Sequence, residues 1–290
     1  MFRNLLRISH PLHILLAALT YVLGASIANY LGKSFRSDSF WFGFGAALLA
    51  QMSMDLLSEV FRLDAEPLEE GETRRGRLAL RNNALYISIA SLAVDAVIAF
   101  ILYYNQRLGF AAFIFIFLSL LFVLAYSVSP FRLVSRGFGE LTLALHLAYI
   151  IPSIAFLLQA SNFNRLLTLM LPLTALAFAY FIILGFPAFA TDRKLGRRTL
   201  LVLLGWERVV PLHHGLILFA YLLFVASPVL GLSLTLIWPA FLTLPFAILQ
   251  ILLLRNISLG ARPNWTLLTV TALAVFGLTS YFLTLTFWLR

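Results

Sequence analysis

Three stretches of the sequence gather side chains that could grip a metal-bridged anion. The first reads Gln51-Met-Ser-Met-Asp55-Leu-Leu-Ser-Glu59-Val-Phe-Arg62-Leu-Asp64-Ala-Glu66. Asp55 and Glu59 are four residues apart and so share one face of a helix. The second reads Tyr126-Ser-Val-Ser-Pro130-Phe-Arg132-Leu-Val-Ser-Arg136-Gly137-Phe-Gly139-Glu140. Here Arg132 and Arg136 offer planar donors suited to phosphate oxygens, and Gly137 and Gly139 permit a tight return. In the third, Asp192 is followed by Arg193, Lys194, Arg197 and Arg198. Carboxylates set among cations suit Mg²⁺, which prefers carboxylate and phosphate oxygens. Plainer readings stand beside this one. Asp192 fits a loop whose basic residues only fix topology, and Asp55 fits a buried acid with a structural partner.

The elements that must position these residues are apolar. Of 290 residues 61% are hydrophobic and only 11% charged, against roughly a quarter charged in soluble domains. The mean hydropathy is +0.94. Residues 8–32, 108–131, 141–164, 166–191 and 263–289 each lack Asp, Glu, Lys and Arg. A membrane crossing takes about 20 helical residues. The charge-free run 209–254 is long enough for two crossings and breaks at Ser227-Pro228 and Gly231-Leu232-Ser233. With 39–61 and 83–105 added, the pattern predicts nine transmembrane helices: 10–31, 39–61, 83–105, 109–127, 140–160, 165–189, 210–229, 233–254 and 265–288. Backbone groups in lipid must bond within their own segment, so these runs are helices and the fold is all-α. The alternating segments of a membrane β-barrel are missing. One domain over 1–290 is expected.

Basic residues orient the bundle. With the N-terminus inside, Lys33, Arg36, Arg107, Arg165 and Arg290 are the outer cations, and the other 16 of the 21 Lys and Arg lie inside. The positive-inside rule then predicts a multi-pass protein of the inner (cytoplasmic) membrane, with a cytoplasmic N-terminus and an external C-terminus. The net charge of +9 is therefore a topology signal, and nucleic acid is not an expected partner. Arg3 and Arg7 precede a run too long for a signal peptide, so a retained first span is expected. The absence of cysteine excludes disulfides and thiolate metal sites.

All but two of the 12 acids lie in or beside the inner connections 62–82, 128–139 and 190–208, the exceptions being Asp38 and Asp95. A transporter would instead set charged or broken helices at the midplane, where Asp95 and His146 alone qualify. Asp95 reads equally as a cavity-lining acid or a protonated structural group. His146 is explained by a hydrogen bond to a neighbouring helix. His213 and His214 are adjacent, point in different directions, and suit an interface better than a metal.

Taken together, the segments carry a resemblance. Tyr126–Glu140 is similar to the Tyr-Ser-x-x-Pro-x-Arg-Leu-x-x-Arg-Gly-x-Gly-Glu signature of the UbiA superfamily of intramembrane prenyltransferases. Asp192-x-x-x-Gly196-Arg-Arg-Thr199-Leu-x-x-x-Leu204-Gly205 resembles the stretch after that family's second Asp-rich motif. Phe186-Pro187 is similar to the 1,4-dihydroxy-2-naphthoate prenyltransferase branch, and Arg7-x-x-His10-Pro11 before a span ending in Gly24-Ala also fits.

The resemblance implies a UbiA-like bundle that moves a polyprenyl group from its diphosphate to an aromatic or quinone-precursor acceptor with Mg²⁺. It implies catalytic roles for Tyr126, Asp55 and Asp192, diphosphate contacts from Arg132, Arg136, Lys194 and Arg62, and metal contacts from Asp55, Glu59, Asp64 and Asp192. The sequence departs from the family at both acidic motifs. Ala188 replaces the first Asp of the second motif. In the first motif, Asn-Asp-x-x-Asp, one register places Met54-Asp55 on Asn-Asp with Ser58 on the next Asp. Another places Ser58-Glu59 there with Arg62 on that Asp. Either way a carboxylate is missing, and Arg62 could carry the charge of one cation. A homologue that binds isoprenoid lipid without transfer is the alternative within this fold.

Overall fold

The computed structural model describes residues 5, 8–62, 73–160 and 162–290. Among them, nine helices are long and apolar enough to cross a membrane. Spans 1 to 9 are Pro11–Tyr30, Ser37–Val60, Arg74–Tyr104, Phe110–Ser127, Gly139–Gln159, Arg165–Gly185, Trp206–Val225, Leu234–Ser258 and Trp265–Leu289. No strand occurs among the described residues. The protein is thus an all-α, multi-pass membrane protein.

Local chemistry sets the helix ends. Thr73 accepts the Gly76 amide hydrogen and starts span 3 well before the predicted residue 83. The added turns carry Arg74, Arg75, Arg77 and Arg81, and the Arg81 guanidinium donates to the Arg62 carbonyl. Asn264 caps span 9 by accepting the Leu267 amide hydrogen. The predicted break between spans 7 and 8 is a 3₁₀ turn, Ser227–Leu230, closed by left-handed Gly231. Span 6 ends at Gly185 rather than 189, and a separate short helix, Phe189–Lys194, follows it. A further short helix, Leu200–Leu204, is capped by Thr199 and ends at Gly205, whose φ of 72° lets span 7 begin at once.

Spans 5 and 6 are the most enclosed and span 1 comes next, while spans 3 and 4 turn most of their surface outward. Span 1 packs against spans 5 and 9, span 2 against span 3, and span 6 against span 7. Lipid tails are as apolar as leucine, so close contact between helices depends on small residues. At Gly24 the backbone of span 1 meets the Pro152 carbonyl of span 5, where an added Cβ would collide with main chain that cannot yield. Buried hydroxyls mostly satisfy themselves: Thr20, Ser26, Ser88, Thr142 and Ser280 donate to carbonyls three or four residues back. Such serines and threonines carry no interhelical polarity.

Gly24→Ala is expected to destabilise the bundle by about 1–3 kcal/mol through overpacking, read as a lower melting temperature of the purified protein in detergent. An unchanged melting temperature would mean that spans 1 and 5 separate freely.

Candidate functional site

The site is built at the end of the bundle where span 2 stops and span 3 starts. Asp55 lies five residues inside span 2, about 7 Å along the helix axis, and is only 1% exposed. An ionised carboxylate at that depth must be paired or hydrogen-bonded. Its Oδ1 lies 3.0 Å from His13 Nδ1 of span 1, and its Oδ2 accepts from Gln51 Nε2 at 3.1 Å. The chain of contacts continues inward. Gln51 Oε1 meets His146 Nδ1 of span 5 at 3.0 Å, and His146 Nε2 meets Ser119 Oγ of span 4 at 2.9 Å. His146 opens a π-helical stretch, His146–Ile150, a departure from α geometry that often marks functional positions.

Outside the span, His10 stacks on His13 with ring centres 4.9 Å apart. Desolvation by the surrounding protein, against the pull of Asp55, holds the His10 imidazole below its ordinary range.

Tyr126, at the end of span 4, is buried and lies within electrostatic reach of Asp55, Glu140, Glu59 and Arg132. Next to it, the Ser127 hydroxyl donates to the Met54 carbonyl at 2.8 Å and locks span 4 to span 2. The connection from span 4 to span 5 is folded onto the one after span 6. Gly137, at φ 81°, allows Leu203 to come so close that a Cβ would strike its side chain. Glu140 Oε1 accepts the Leu200 amide hydrogen at 3.2 Å. Arg132 holds an uncommon left-handed conformation at φ 36°.

This folding encloses an open cavity of about 670 Å³, lined by Arg132, Ser135, Arg136, Phe138, Arg197 and Arg198 among others. Four guanidinium groups line this one cavity, and a guanidinium can fork two donors toward a phosphate. Arg136 Nη2 also reaches the Pro130 carbonyl at 2.5 Å. Asp192, 4% exposed, pairs with Arg197 at 3.0 Å, and Glu59 pairs with Arg62 at 3.5 Å.

The structure therefore brings Asp55, Glu59, Tyr126, Arg132, Arg136 and Asp192 to one end of the bundle. Arg62 pairs beside the end of span 2, and Lys194 is exposed at the end of its short helix; neither lines the arginine cavity. Asp64 and Glu66 lie outside the described residues. Among the described residues no three His, Asp or Glu side chains are close enough to form a metal cluster. Sequence reasoning noted Arg197 and Arg198 only as cations near Asp192, yet both line the cavity. It gave no role to His13, Gln51 or Ser119. His146 bonds two neighbouring helices, as its burial in a span required. His213 is fully buried, 3.0 Å from Gln250 of span 8, rather than at an interface. Asp95 lines a cavity.

No family model matches the sequence, and no curated protein matches it. Solved structures do. A UbiA homolog from Archaeoglobus fulgidus bound to GPP and Mg²⁺ is similar at a TM-score of 0.63 and 14% identity, covering 98% of both chains. A digeranylgeranylglyceryl phosphate synthase structure is similar at a TM-score of 0.65 and 13% identity, covering 99% of this chain and 97% of that one. A UbiA homolog from Aeropyrum pernix K1 gives 0.56 and 15%, covering 92% and 96%. Over nearly its whole length, this chain has the fold of the UbiA homologs.

Proposed function

We propose that the protein is a membrane prenyltransferase that moves a polyprenyl group from its diphosphate to an aromatic or quinone-precursor acceptor. The observation that carries this is the cavity of four arginines beside Asp192, with Tyr126 and Asp55 both buried nearby, at one end of a lipid-embedded bundle. Similar structures hold GPP and Mg²⁺ in one case and DMAPP and Mg²⁺ in another, which supports a diphosphate ligand here. In this reading the N-terminus is cytoplasmic, the C-terminus external, and the arginine cavity faces the cytoplasm of the inner membrane.

The residues fit Mg²⁺ in kind and only partly in number. Both Asp55 oxygens are occupied by His13 and Gln51, whereas Glu59 and Asp192 are held by arginines that a diphosphate would also attract. Glu59 and Asp192 would hold the ion, with Asp64 as a further candidate and water and phosphate oxygens completing the shell. Bound there, it supplies positive charge to the departing diphosphate.

The protein's own groups do the rest. Arg132, Arg136, Arg197 and Arg198 bind the diphosphate. Tyr126 offers a π-face to the positive carbon left behind, and the charge of Asp55 beside it favours that cation. The apolar interior keeps water away. Arg62 and Lys194 attract the ligand from outside the cavity. The alternative, diphosphate binding without transfer, draws on Ala188 and on the engagement of both Asp55 oxygens.

Purified protein should bind geranylgeranyl diphosphate more tightly with Mg²⁺ than without, and Asp192→Asn should abolish that difference. Binding that ignores Mg²⁺ in the wild type rejects the enzyme. Metal-dependent binding with no diphosphate release across an acceptor screen selects the binding-only reading.

Arg136→Ala and Arg198→Ala should each weaken diphosphate binding about tenfold or more, the loss of one charge-assisted contact. Arg62→Ala and Lys194→Ala should change it by less. The opposite order would move the diphosphate out of the arginine cavity.

A further inference from the structure

The buried hydrogen-bond chain that begins at His13 has a direction. Asp55 as a carboxylate only accepts, so it takes the Gln51 amide nitrogen and turns Gln51 Oε1 toward His146. His146 Nδ1 must then donate, which leaves Nε2 of the neutral imidazole as an acceptor. Ser119 therefore spends its single proton on His146 Nε2, at 2.9 Å. Most buried hydroxyls in this bundle donate to their own helix, whereas Ser119 donates to span 5 and keeps only lone pairs for whatever lies on its other side.

On that other side is a second cavity, remote from the arginines, of about 220 Å³ between spans 2, 3 and 4. Its walls are apolar and include Gly43, Ala47, Phe113 and Phe117, with two exceptions: Ser119, 6% exposed, and Asp95. Asp95 Oδ1 is buried and meets no hydrogen-bond donor among the described residues. In either protonation state Asp95 offers an acceptor oxygen. A buried acceptor without a donor in an apolar cavity is costly, and a ligand hydroxyl, with its single proton, satisfies one of these two oxygens. The volume suits a ring: an apolar cavity of about 150 Å³ takes benzene, and this one, of about 220 Å³ and open beside the exposed Phe113 and Phe117, seats a substituted ring.

We propose that this cavity binds a small phenol dissolved in the membrane, with its hydroxyl donating to Asp95 or Ser119 and its ring against Phe113 and Phe117. The phenol is chosen over an aliphatic alcohol by those two rings and by the stronger donor its acidic hydroxyl makes. The proposal stands on the cavity and the hydrogen-bond chain, and holds whether or not the protein transfers a prenyl group.

The test uses the full chain in lipid nanodiscs without any prenyl diphosphate, with 4-fluorophenol and 4-fluoroanisole as ¹⁹F NMR probes and empty nanodiscs as the reference. The phenol should show saturable, protein-dependent broadening and the methyl ether should bind about tenfold more weakly, the worth of one buried hydrogen bond. Ala47→Phe, which fills the cavity, should abolish phenol binding, and Ser119→Ala should weaken it severalfold. Gln51→Leu frees the His146–Ser119 pair to reverse, so ether binding should rise relative to phenol, a change that loss of stability alone does not produce. Equal binding of phenol and ether, or phenol binding that persists in Ala47→Phe, overturns the proposal and leaves partition into the bilayer. Both comparisons hold if Ser119→Ala fails to fold. Diphosphate binding is measured separately, so failure of either reading does not affect the other.

Discussion

One carboxylate inside an apolar bundle sets the terms for much of the rest. Asp55 is buried within span 2 and cannot be left bare, since stripping the partner from a buried charge costs about 3–5 kcal/mol. His13 and Gln51 meet that demand, and Gln51 extends it to His146 and Ser119. Four spans are thereby fixed in depth relative to one another. Hydrophobic burial cannot do this in lipid, because a helix sliding past its neighbour exchanges apolar contacts for apolar contacts. The polar chain, the Ser127 bond to the Met54 carbonyl and the close approach at Gly24 select the register.

The same demand separates two kinds of polarity. Guanidinium groups gather at the rim, where water and ligand can meet them, and the loops that carry them are joined by Glu140 and Leu200. Inside, the chain runs from one carboxyl group through imidazole, amide and hydroxyl groups. On the two proposals, the rim takes a highly charged ligand and the interior a neutral one that donates a single hydrogen bond.

Seven of the nine crossings were legible as charge-free runs long enough to span a bilayer, and spans 2 and 3 as apolar segments carrying one or two acids, a signal that needs no tertiary knowledge. Boundaries were less legible where capping decided them. Thr73 starts span 3 in polar sequence that hydropathy reads as loop, and Gly205 starts span 7 before its apolar run. At the site, Asp55, Arg132, Arg136 and Asp192 stood out by type and spacing, and Tyr126 through the resemblance. The partners of Asp55 did not. His13 is 42 residues away in sequence, and Gln51 and His146 are 95 apart, so no periodicity links them. Ser119 looks like any membrane serine until its neighbour is known. The division between arginines that line the cavity and cations that do not depends on how two loops fold together, which composition does not encode.

Span 3 is 31 residues long, about 46 Å of helix, against roughly 30 Å of hydrocarbon. Its surplus turns bear Arg74, Arg75, Arg77 and Arg81, tethered to the end of span 2 through the Arg62 carbonyl. Salt water at physiological strength screens charge over about 8 Å. On the proposed function, these arginines are the groups placed to attract an anionic ligand still in solution. Capture would then slow as ionic strength rises while the dwell time of a ligand already seated in the arginine cavity changes little, so the two halves of one affinity would answer to different parts of the molecule.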